Sequence, residues 1–166
     1  MFDPVLIARA TSLLATLRAA GLHLATAESC TGGLIAGLLT EIAGASDVVD
    51  RGFITYSNEA KSELLGVPPV LIATFGAVSR DVAIAMVEGA CARTRQGSGG
   101  SIAVAVTGVA GPGGGTPLKP VGLVHIAVAR SGQQTRHRAC HFGDIGRSQI
   151  RLATVDAALE LLAAQD

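Results

Sequence analysis

The chain alternates between amphipathic segments with helical spacing and short apolar segments with strand character, and this alternation restricts the folds open to it. The helical pattern covers residues 4–20, 34–42, 59–65, 80–95 and 147–164, and the strand pattern covers residues 22–27, 48–56, 101–107, 121–130 and 133–142. Ser131-Gly132 separates the last two strands and predicts an antiparallel hairpin. The order predicts an α/β fold, a layered α/β/α sandwich with a mixed, mostly parallel sheet.

Capping signals support the first and fourth of these helices. Asp3-Pro4 offers a cap followed by a proline suited to the first helical position, and Ser79 precedes the fourth helix. Gly66 and Pro68-Pro69 predict a stop for the third helix. We expect the first helix to bury one apolar stripe, formed by Val5, Leu6, Leu13, Leu14 and Leu17.

Composition excludes several classes of protein. With 166 residues, the chain fits one domain spanning residues 1–166. Lysine plus arginine and aspartate plus glutamate both number 13 and aromatic residues are only 3%, which argues against a nucleic-acid binder. Three widely spaced cysteines fit neither a disulfide framework nor a zinc site and predict a reducing cytoplasm. The first 20 residues are not expected to act as a signal peptide, because they lack a basic start followed by a solid apolar block, and no apolar run reaches the length expected of a membrane span.

Five stretches, in order and covering about residues 5–162, together resemble the CinA C-terminal domain family. They are Thr26-Ala-Glu-Ser-Cys-Thr-Gly-Gly33, Gly52-Phe-Ile-Thr-Tyr-Ser-Asn58 with Lys61 and Leu64-Leu-Gly66, Gly76-Ala-Val-Ser79, Thr107-Gly-Val-Ala-Gly-Pro112 and Lys119-Pro-Val-Gly122. The sequence departs from the family pattern after Gly143-Asp144. The family often has an arginine directly after this pair, whereas here Ile145-Gly146 comes before Arg147.

The resemblance implies the stand-alone amidase form of the family, without the additional N-terminal domain of larger members. It would convert nicotinamide mononucleotide and water to nicotinic acid mononucleotide and ammonia, without a metal or organic cofactor. The implied partners are this small-molecule nucleotide and further copies of the chain in a dimer or larger homo-oligomer. A second hypothesis is a non-catalytic nucleotide-sensing or partner-binding protein. A Rossmann dehydrogenase is disfavoured because no G-x-G-x-x-G turn follows the first strand.

Ser29 is the predicted nucleophile, because it lies where a strand turns directly into a helix. The following backbone N–H groups, at Cys30, Thr31 and Gly32, and the helix N-terminus would face developing negative charge. Cys30, Thr31, Gly32 and Gly33 are therefore predicted to bind the substrate. The alternative is that Ser29 only caps the helix. Cys30 is a rival nucleophile, but no histidine lies near it in the sequence, and small-residue packing is the preferred interpretation.

Lys61 and Tyr56 are the predicted proton-handling partners of Ser29. A lysine can act as a base only when burial or neighbouring cations lower its pKa, and otherwise Lys61 would be an ordinary solvated cation. Tyr56 is the only tyrosine and could relay a proton between Lys61 and Ser29 or donate one to the leaving ammonia. The alternative is a half-buried aromatic residue with an ordinary hydrogen-bond partner.

A glycine-rich stretch from Gly108 to Thr116 follows a buried strand and could place backbone N–H groups against an anion. Thr107, Gly108 and Gly111 are the predicted substrate contacts there, although such a loop can also be only a flexible turn. Three basic residues could hold the phosphate: Arg147 is preferred, ahead of Lys119 and Arg151, the last of which could equally face solvent.

The histidines predict no metal site. His137 and His141 would share a strand face at a separation of about 13 Å, too far to bind one ion. His23 and His125 are expected to have no partners.

Overall fold

The computed structural model describes residues 2–164, in which helices and strands alternate as the sequence pattern indicates. The helices are α1 (Pro4–Ala19), α2 (Leu34–Thr40), α3 (Asn58–Leu65), α4 (Pro69–Phe75), α5 (Arg80–Arg93) and α6 (Arg147–Ala163). The strands are β1 (Leu22–Glu28), β2 (Val49–Ile54), β3 (Gly100–Gly108), β4 (Leu123–Arg130) and β5 (Arg136–His141).

The five strands form one mixed sheet in the order β2-β1-β3-β4-β5. Strands β1, β2 and β3 are parallel, with Ala27 paired to Phe53 on one side and to Ala105 on the other. Strands β4 and β5 continue the sheet in antiparallel orientation, which confirms the predicted hairpin. The carboxyl ends of the three parallel strands therefore meet at one edge, the position where ligands bind in open α/β sheets.

The two faces of the sheet carry side chains of different size. Leu24, Val104 and Ile126 lie in a buried cluster with α1, α2 and α6 on one face, and Ala25, Ala103 and Ala127 lie with α5 on the other. The alanines let α5 approach the sheet closely. The two helical layers around one sheet confirm the predicted α/β/α sandwich.

The stop predicted for the third helix is confirmed, because α3 ends at Leu65 and Gly66 caps it in the left-handed region. The sequence pattern did not predict α4, which begins at Pro69, where a proline without an N–H is tolerated.

One local prediction was wrong. Val5 does not belong to the buried stripe of α1, since it lies in the first turn and is 60% exposed, while Ala10 takes its place beside Leu6 and Leu13. Within residues 2–164, none of the helices combines the length and apolarity needed to cross a bilayer.

Candidate active site

Ser29 follows β1 directly, and the backbone around it continues the sheet for one more residue. Its N–H donates to the carbonyl oxygen of Val106 on β3 at 3.1 Å. The chain then turns sharply into α2 through Gly32 and Gly33, whose φ angles of 59° and 96° lie in the left-handed region that favours glycine. The strand–turn–helix arrangement predicted for Ser29 is therefore present, and Ser29 is not the cap of α2, which is Gly33.

The N-terminus of α2 is filled by the carboxylate of Glu28, a residue that the sequence reasoning did not single out. Glu28 is fully buried, and its oxygens accept hydrogen bonds from the backbone N–H groups of Gly33, Ile35 and Ala36 and from the Thr31 hydroxyl. The expectation that this helix end would face developing negative charge was wrong, because a carboxylate already occupies it.

Lys61 lies in the first turn of α3, which begins just after β2 and is capped by the Ser57 hydroxyl. Helical side chains lean toward the helix N-terminus, so Lys61 extends back toward the end of the strand. Its side chain is only 1% exposed, not solvated as a surface lysine would be. The Nζ atom lies 3.1 Å from the Ser29 Oγ atom, 2.8 Å from the Thr55 carbonyl oxygen and 3.3 Å from that of Tyr56.

The Nζ atom of Lys61 also lies 3.5 Å from the Ser57 carbonyl oxygen, so three carbonyl oxygens and the Ser29 hydroxyl surround it as acceptors. When the amine is neutral it keeps two N–H donors for carbonyls, and its lone pair can accept the Ser29 hydroxyl proton. Burial lowers the pKa of Lys61 below its ordinary 10.5, and the nearby Cys30 only partly opposes this shift. Among residues 2–164, no ion pair with a carboxylate holds Lys61 in its charged form.

A cavity of about 210 Å³ opens beside these two side chains. Its walls come from the carboxyl ends of the parallel strands, from the segment before α5 and from the start of α6. The lining residues are Ser29, Cys30, Tyr56, Lys61, Ala77, Val78, Thr107, Gly108, Ala110 and Arg147. The cavity thus brings together all three predicted catalytic residues and several of the predicted binding residues.

Tyr56 and Arg147 face each other across the mouth of this cavity. The Arg147 guanidinium donates to the Tyr56 hydroxyl at 3.3 Å and to the Gly111 carbonyl at 2.8 Å. The Tyr56 residue is 63% exposed, and Lys61 reaches Ser29 without it. A relay through the phenol from Lys61 to Ser29 therefore has no support in the geometry, whereas a role toward a leaving group at the mouth remains a prediction.

The predicted binding residues divide into two groups. Thr107 and Gly108 line the cavity, and Gly111 lies next to it through its contact with Arg147. Thr31, Gly32 and Gly33 are absent from the cavity wall, because the Thr31 hydroxyl and the Gly33 N–H bind Glu28. Within the turn after Ser29, Cys30 lines the cavity, whereas Thr31, Gly32 and Gly33 support the nucleophile from outside the cavity wall.

The alternative phosphate ligands, Lys119 and Arg151, have structural partners. The Lys119 ammonium donates to the carbonyl of Phe75, the last residue of α4. The Arg151 guanidinium donates to the carbonyl of Cys30 at 3.1 Å and to that of Thr31 at 2.7 Å. Arg147 is thus the arginine that lines the cavity, as predicted, and Arg151 holds the turn.

Cys30 is packed among buried side chains and is 6% exposed. Burial raises the pKa of its thiol to about 12, so the thiol carries its proton at neutral pH. A protonated thiol is a weak nucleophile. The structure thus agrees with the packing interpretation of this residue.

His23 and His125 both have partners, contrary to the sequence-based expectation. The Nδ1 atom of His23 lies 3.2 Å from the Arg95 guanidinium. The Nδ1 atom of His125 lies 3.0 Å from the Nε2 atom of His137 on the neighbouring strand β5, and the two rings stack. Cross-strand neighbours like these cannot be found from spacing within one strand. Among residues 2–164, no cluster of three or more side chains that could hold a metal ion occurs.

Sequence reasoning also overlooked Ala77 and Val78 as parts of the cavity wall. The Thr107 hydroxyl donates to the Ala77 carbonyl at 2.8 Å, and the Ser79 hydroxyl donates to that of Gly76 at 2.9 Å. The segment is therefore fixed against β3 and the start of α5. The only available signal was the motif Gly76-Ala-Val-Ser79, which carries no chemically distinctive side chain.

Comparison with known proteins places this fold and site in a family. The model of the CinA C-terminal domain matches residues 7–165. A CinA-like protein of Anaeromyxobacter dehalogenans (strain 2CP-C) is 50% identical over 151 residues, which are 90% of this chain and 35% of that protein. The chain thus spans about a third of the length of the curated relatives it matches.

Solved structures agree over nearly the whole chain. The competence/damage inducible protein CihA from Agrobacterium tumefaciens is 53% identical, with a TM-score of 0.94 over 99% of this chain and 97% of that one. The competence damage-inducible protein A (ComA) from Klebsiella pneumoniae is 34% identical, with a TM-score of 0.88 over 96% of each chain. The chain therefore belongs to the CinA C-terminal domain family.

Proposed function

We propose that the chain is an amidohydrolase that deamidates nicotinamide mononucleotide through a covalent intermediate on Ser29. The single observation that carries the proposal is the 3.1 Å contact between the Ser29 hydroxyl and the buried amine of Lys61 at the wall of a cavity. A nucleophile within hydrogen-bond reach of a base is the arrangement that nucleophilic catalysis requires.

In the first half of the reaction, the Ser29 oxygen attacks the carboxamide carbon while its proton passes to the lone pair of Lys61. The tetrahedral intermediate then collapses, the C–N bond breaks, and the ammonium of Lys61 gives its proton to the departing nitrogen. Ammonia leaves and an ester with Ser29 remains. The Tyr56 phenol lines the same cavity next to Arg147 and is the second group there that can donate a proton.

In the second half, water attacks the ester carbon and gives a proton to Lys61, which returns it to the Ser29 oxygen as the acid leaves. Lys61 therefore acts as the base in both steps and is neutral again when the reaction is complete. Oxyanion contacts would come from backbone N–H groups of the cavity wall, because Glu28 occupies the N-terminus of α2.

The cavity suits a substrate with a compact amide end and an anionic tail. The nicotinamide ring would enter toward Ser29, and the phosphate would extend to Arg147 at the mouth, where charge-assisted bonds could hold it. Substrate identity comes from the family resemblance. The relatives' names refer to competence and damage induction and leave open a non-catalytic nucleotide sensor that uses the same cavity.

Ammonia release from nicotinamide mononucleotide tests the proposal, together with calorimetric binding of the same nucleotide. We expect wild type to release ammonia, Ser29→Ala and Lys61→Ala to lose at least about 10³-fold in kcat, and the distant, exposed Ser98→Ala to match wild type. A wild-type chain that binds the nucleotide without releasing ammonia would refute the enzyme hypothesis and favour the sensor.

A further inference from the structure

We infer that Glu28 is a positioning residue that fixes the Ser29 hydroxyl against the Lys61 amine, an inference that rests on the proposed function. Glu28 precedes Ser29 in the chain but does not line the cavity, so it has no route to the substrate. Its carboxylate is fully buried, and among residues 2–164 no ion pair supplies it with a cation. A buried charge of this kind is costly unless hydrogen bonds satisfy it.

Four donors satisfy the carboxylate. The Oε2 atom accepts from the Thr31 hydroxyl at 2.6 Å and from the N–H groups of Gly33 and Ile35 at 3.0 Å each, and Oε1 accepts from Ala36 N–H at 2.9 Å. All four donors follow Ser29 in the chain. The Glu28 side chain, which comes just before the nucleophile, therefore binds the turn that comes just after it. Charge-assisted bonds to one rigid group leave little freedom to the peptide between them.

The backbone of Glu28 connects these four hydrogen bonds to the base, Lys61. Its carbonyl accepts from Thr55 N–H at 2.8 Å, and the Thr55 carbonyl in turn accepts from the Lys61 amine at 2.8 Å. One residue therefore holds the turn that carries the nucleophile and the strand end that receives the base. The distance between the Ser29 Oγ and Lys61 Nζ atoms depends on both contacts.

Arg151 completes the support from the other side, since its guanidinium binds the carbonyls of Cys30 and Thr31. Ser29 is thus bracketed by a buried anion before it and a cation after it, and neither needs to touch the substrate. A residue that sets geometry without contacting substrate should control kcat and leave KM unchanged. A misplacement of about 1 Å can cost about a hundredfold in rate.

The test replaces Glu28 by glutamine, which keeps the size but puts an NH₂ group among N–H donors. We expect Glu28→Gln to lower kcat for nicotinamide mononucleotide about a hundredfold, with KM within about threefold of wild type. The rate at which a fluorophosphonate probe labels Ser29 should fall in parallel, because labelling also needs the activated hydroxyl. Circular dichroism and the melting temperature report whether each variant is folded at the assay temperature.

Two further variants separate positioning from stability. Asp3→Asn makes the same carboxylate-to-amide change at the cap of α1, where Asp3 accepts from Val5 N–H, and should alter neither rate. Thr31→Val removes one of the four donors and leaves the carboxylate, so it should lower both rates in the same direction by a smaller factor. If Glu28→Gln does not fold, kcat and the labelling rate of Thr31→Val test the inference in its place.

The outcomes distinguish this inference from the proposed function. If Glu28→Gln and Thr31→Val lower only the melting temperature and leave both rates unchanged, Glu28 is not a positioning residue. A rise in KM that accounts for the whole loss also overturns the inference. If wild type is labelled at Ser29 but releases no ammonia, the proposed substrate is wrong while the labelling rates still decide the role of Glu28. A wild-type chain that is neither labelled nor active overturns both.

Discussion

Lys61 and the His125–His137 pair are both basic groups whose pKa is lowered chiefly by burial, yet their surroundings differ. Lys61 lies at the carboxyl ends of parallel strands, in a cavity wall, and contacts a serine hydroxyl. The histidines lie in the antiparallel half of the sheet and contact each other. A depressed pKa is therefore shared by both regions and does not distinguish them.

The difference lies in what the neutral base can reach. The lone pair of Lys61 can receive a proton from a nucleophile beside open space, whereas the Nδ1 atom of His125 and the Nε2 atom of His137 face one another. Perturbed pKa values mark functional sites only when a cleft and a reacting group accompany them. The comparison predicts that substitutions at Lys61 will lower kcat far more than substitutions at the histidine pair.

Removal of the Lys61 amine should have the largest effect. Lys61→Met keeps an apolar chain of similar length but has no basic amine to take up a proton, so kcat for ammonia release should fall by at least about 10³-fold. His137→Asn should stay within about threefold of wild type. The measurement is kcat for ammonia release by each variant, with circular dichroism to confirm that each is folded. If Lys61→Met and His137→Asn lost equal factors in kcat, the proposed difference between the two regions would be wrong.

The pH dependence of kcat/KM should follow the Lys61 amine. The neutral form is the active one, so kcat/KM should rise about tenfold per pH unit below the pKa of Lys61 and level off above it. Because burial lowers that pKa, the plateau should begin below pH 10.5. The measurement is kcat/KM across the pH range in which the protein stays folded. A rate that still climbs at pH 10.5 would mean that Lys61 has an ordinary pKa.

The histidine pair should affect stability and not rate. Burial, with His137 and Lys119 nearby, lowers the pKa of His125 from 6.5 to about 4; His141 acts in the same direction, and Asp81 opposes it. The unfolded chain thus binds more protons between these values, so the free energy of unfolding should decrease as the pH falls from 6.5 toward 4.

Urea unfolding measured across this pH window tests the prediction, with His125→Gln as the matched variant. Glutamine cannot titrate, so the variant should lose less stability than wild type as the pH falls. If the two curves have the same slope, His125 does not contribute to the pH dependence.

A small effect on the rate is also expected at Cys30. Its thiol is protonated at neutral pH because burial raises the pKa to about 12, so it cannot replace Ser29 as nucleophile. Cys30→Ala should keep kcat within about fivefold of wild type, with a modest loss of stability from the smaller side chain. Ammonia release and thermal unfolding are the two readouts. A loss as large as that of Lys61→Met would make the thiol part of the reaction.

Sequence patterns predicted the parts of the site that depend on local order. The strand–turn–helix at Ser29 and the position of Lys61 after the next strand follow from the spacing of apolar and turn residues. Parallel strands end at the same edge, so their following residues had to approach one another. The family resemblance supplied the choice of Ser29 and Lys61 among many serines and basic residues.

What the sequence could not supply depends on three-dimensional pairing. Glu28 ends a strand, where a carboxylate is ordinarily solvated, and only the turn of the chain back over it brings four donors to it. The His125–His137 contact depends on the register between two strands. Tyr56 lies near Lys61 in sequence, yet its side chain points to the mouth of the cavity, where it meets Arg147.

The protonation state of Lys61 can be measured directly, because the chain has only two lysines, Lys61 and Lys119. A titration of the side-chain ¹⁵Nζ and ¹³Cε NMR signals would give a separate curve for each, and Lys119→Arg would assign them. We predict that the Lys61 signal titrates below 10.5. A Lys61 signal that titrates at or above 10.5 would show a charged amine, which cannot accept the proton of Ser29.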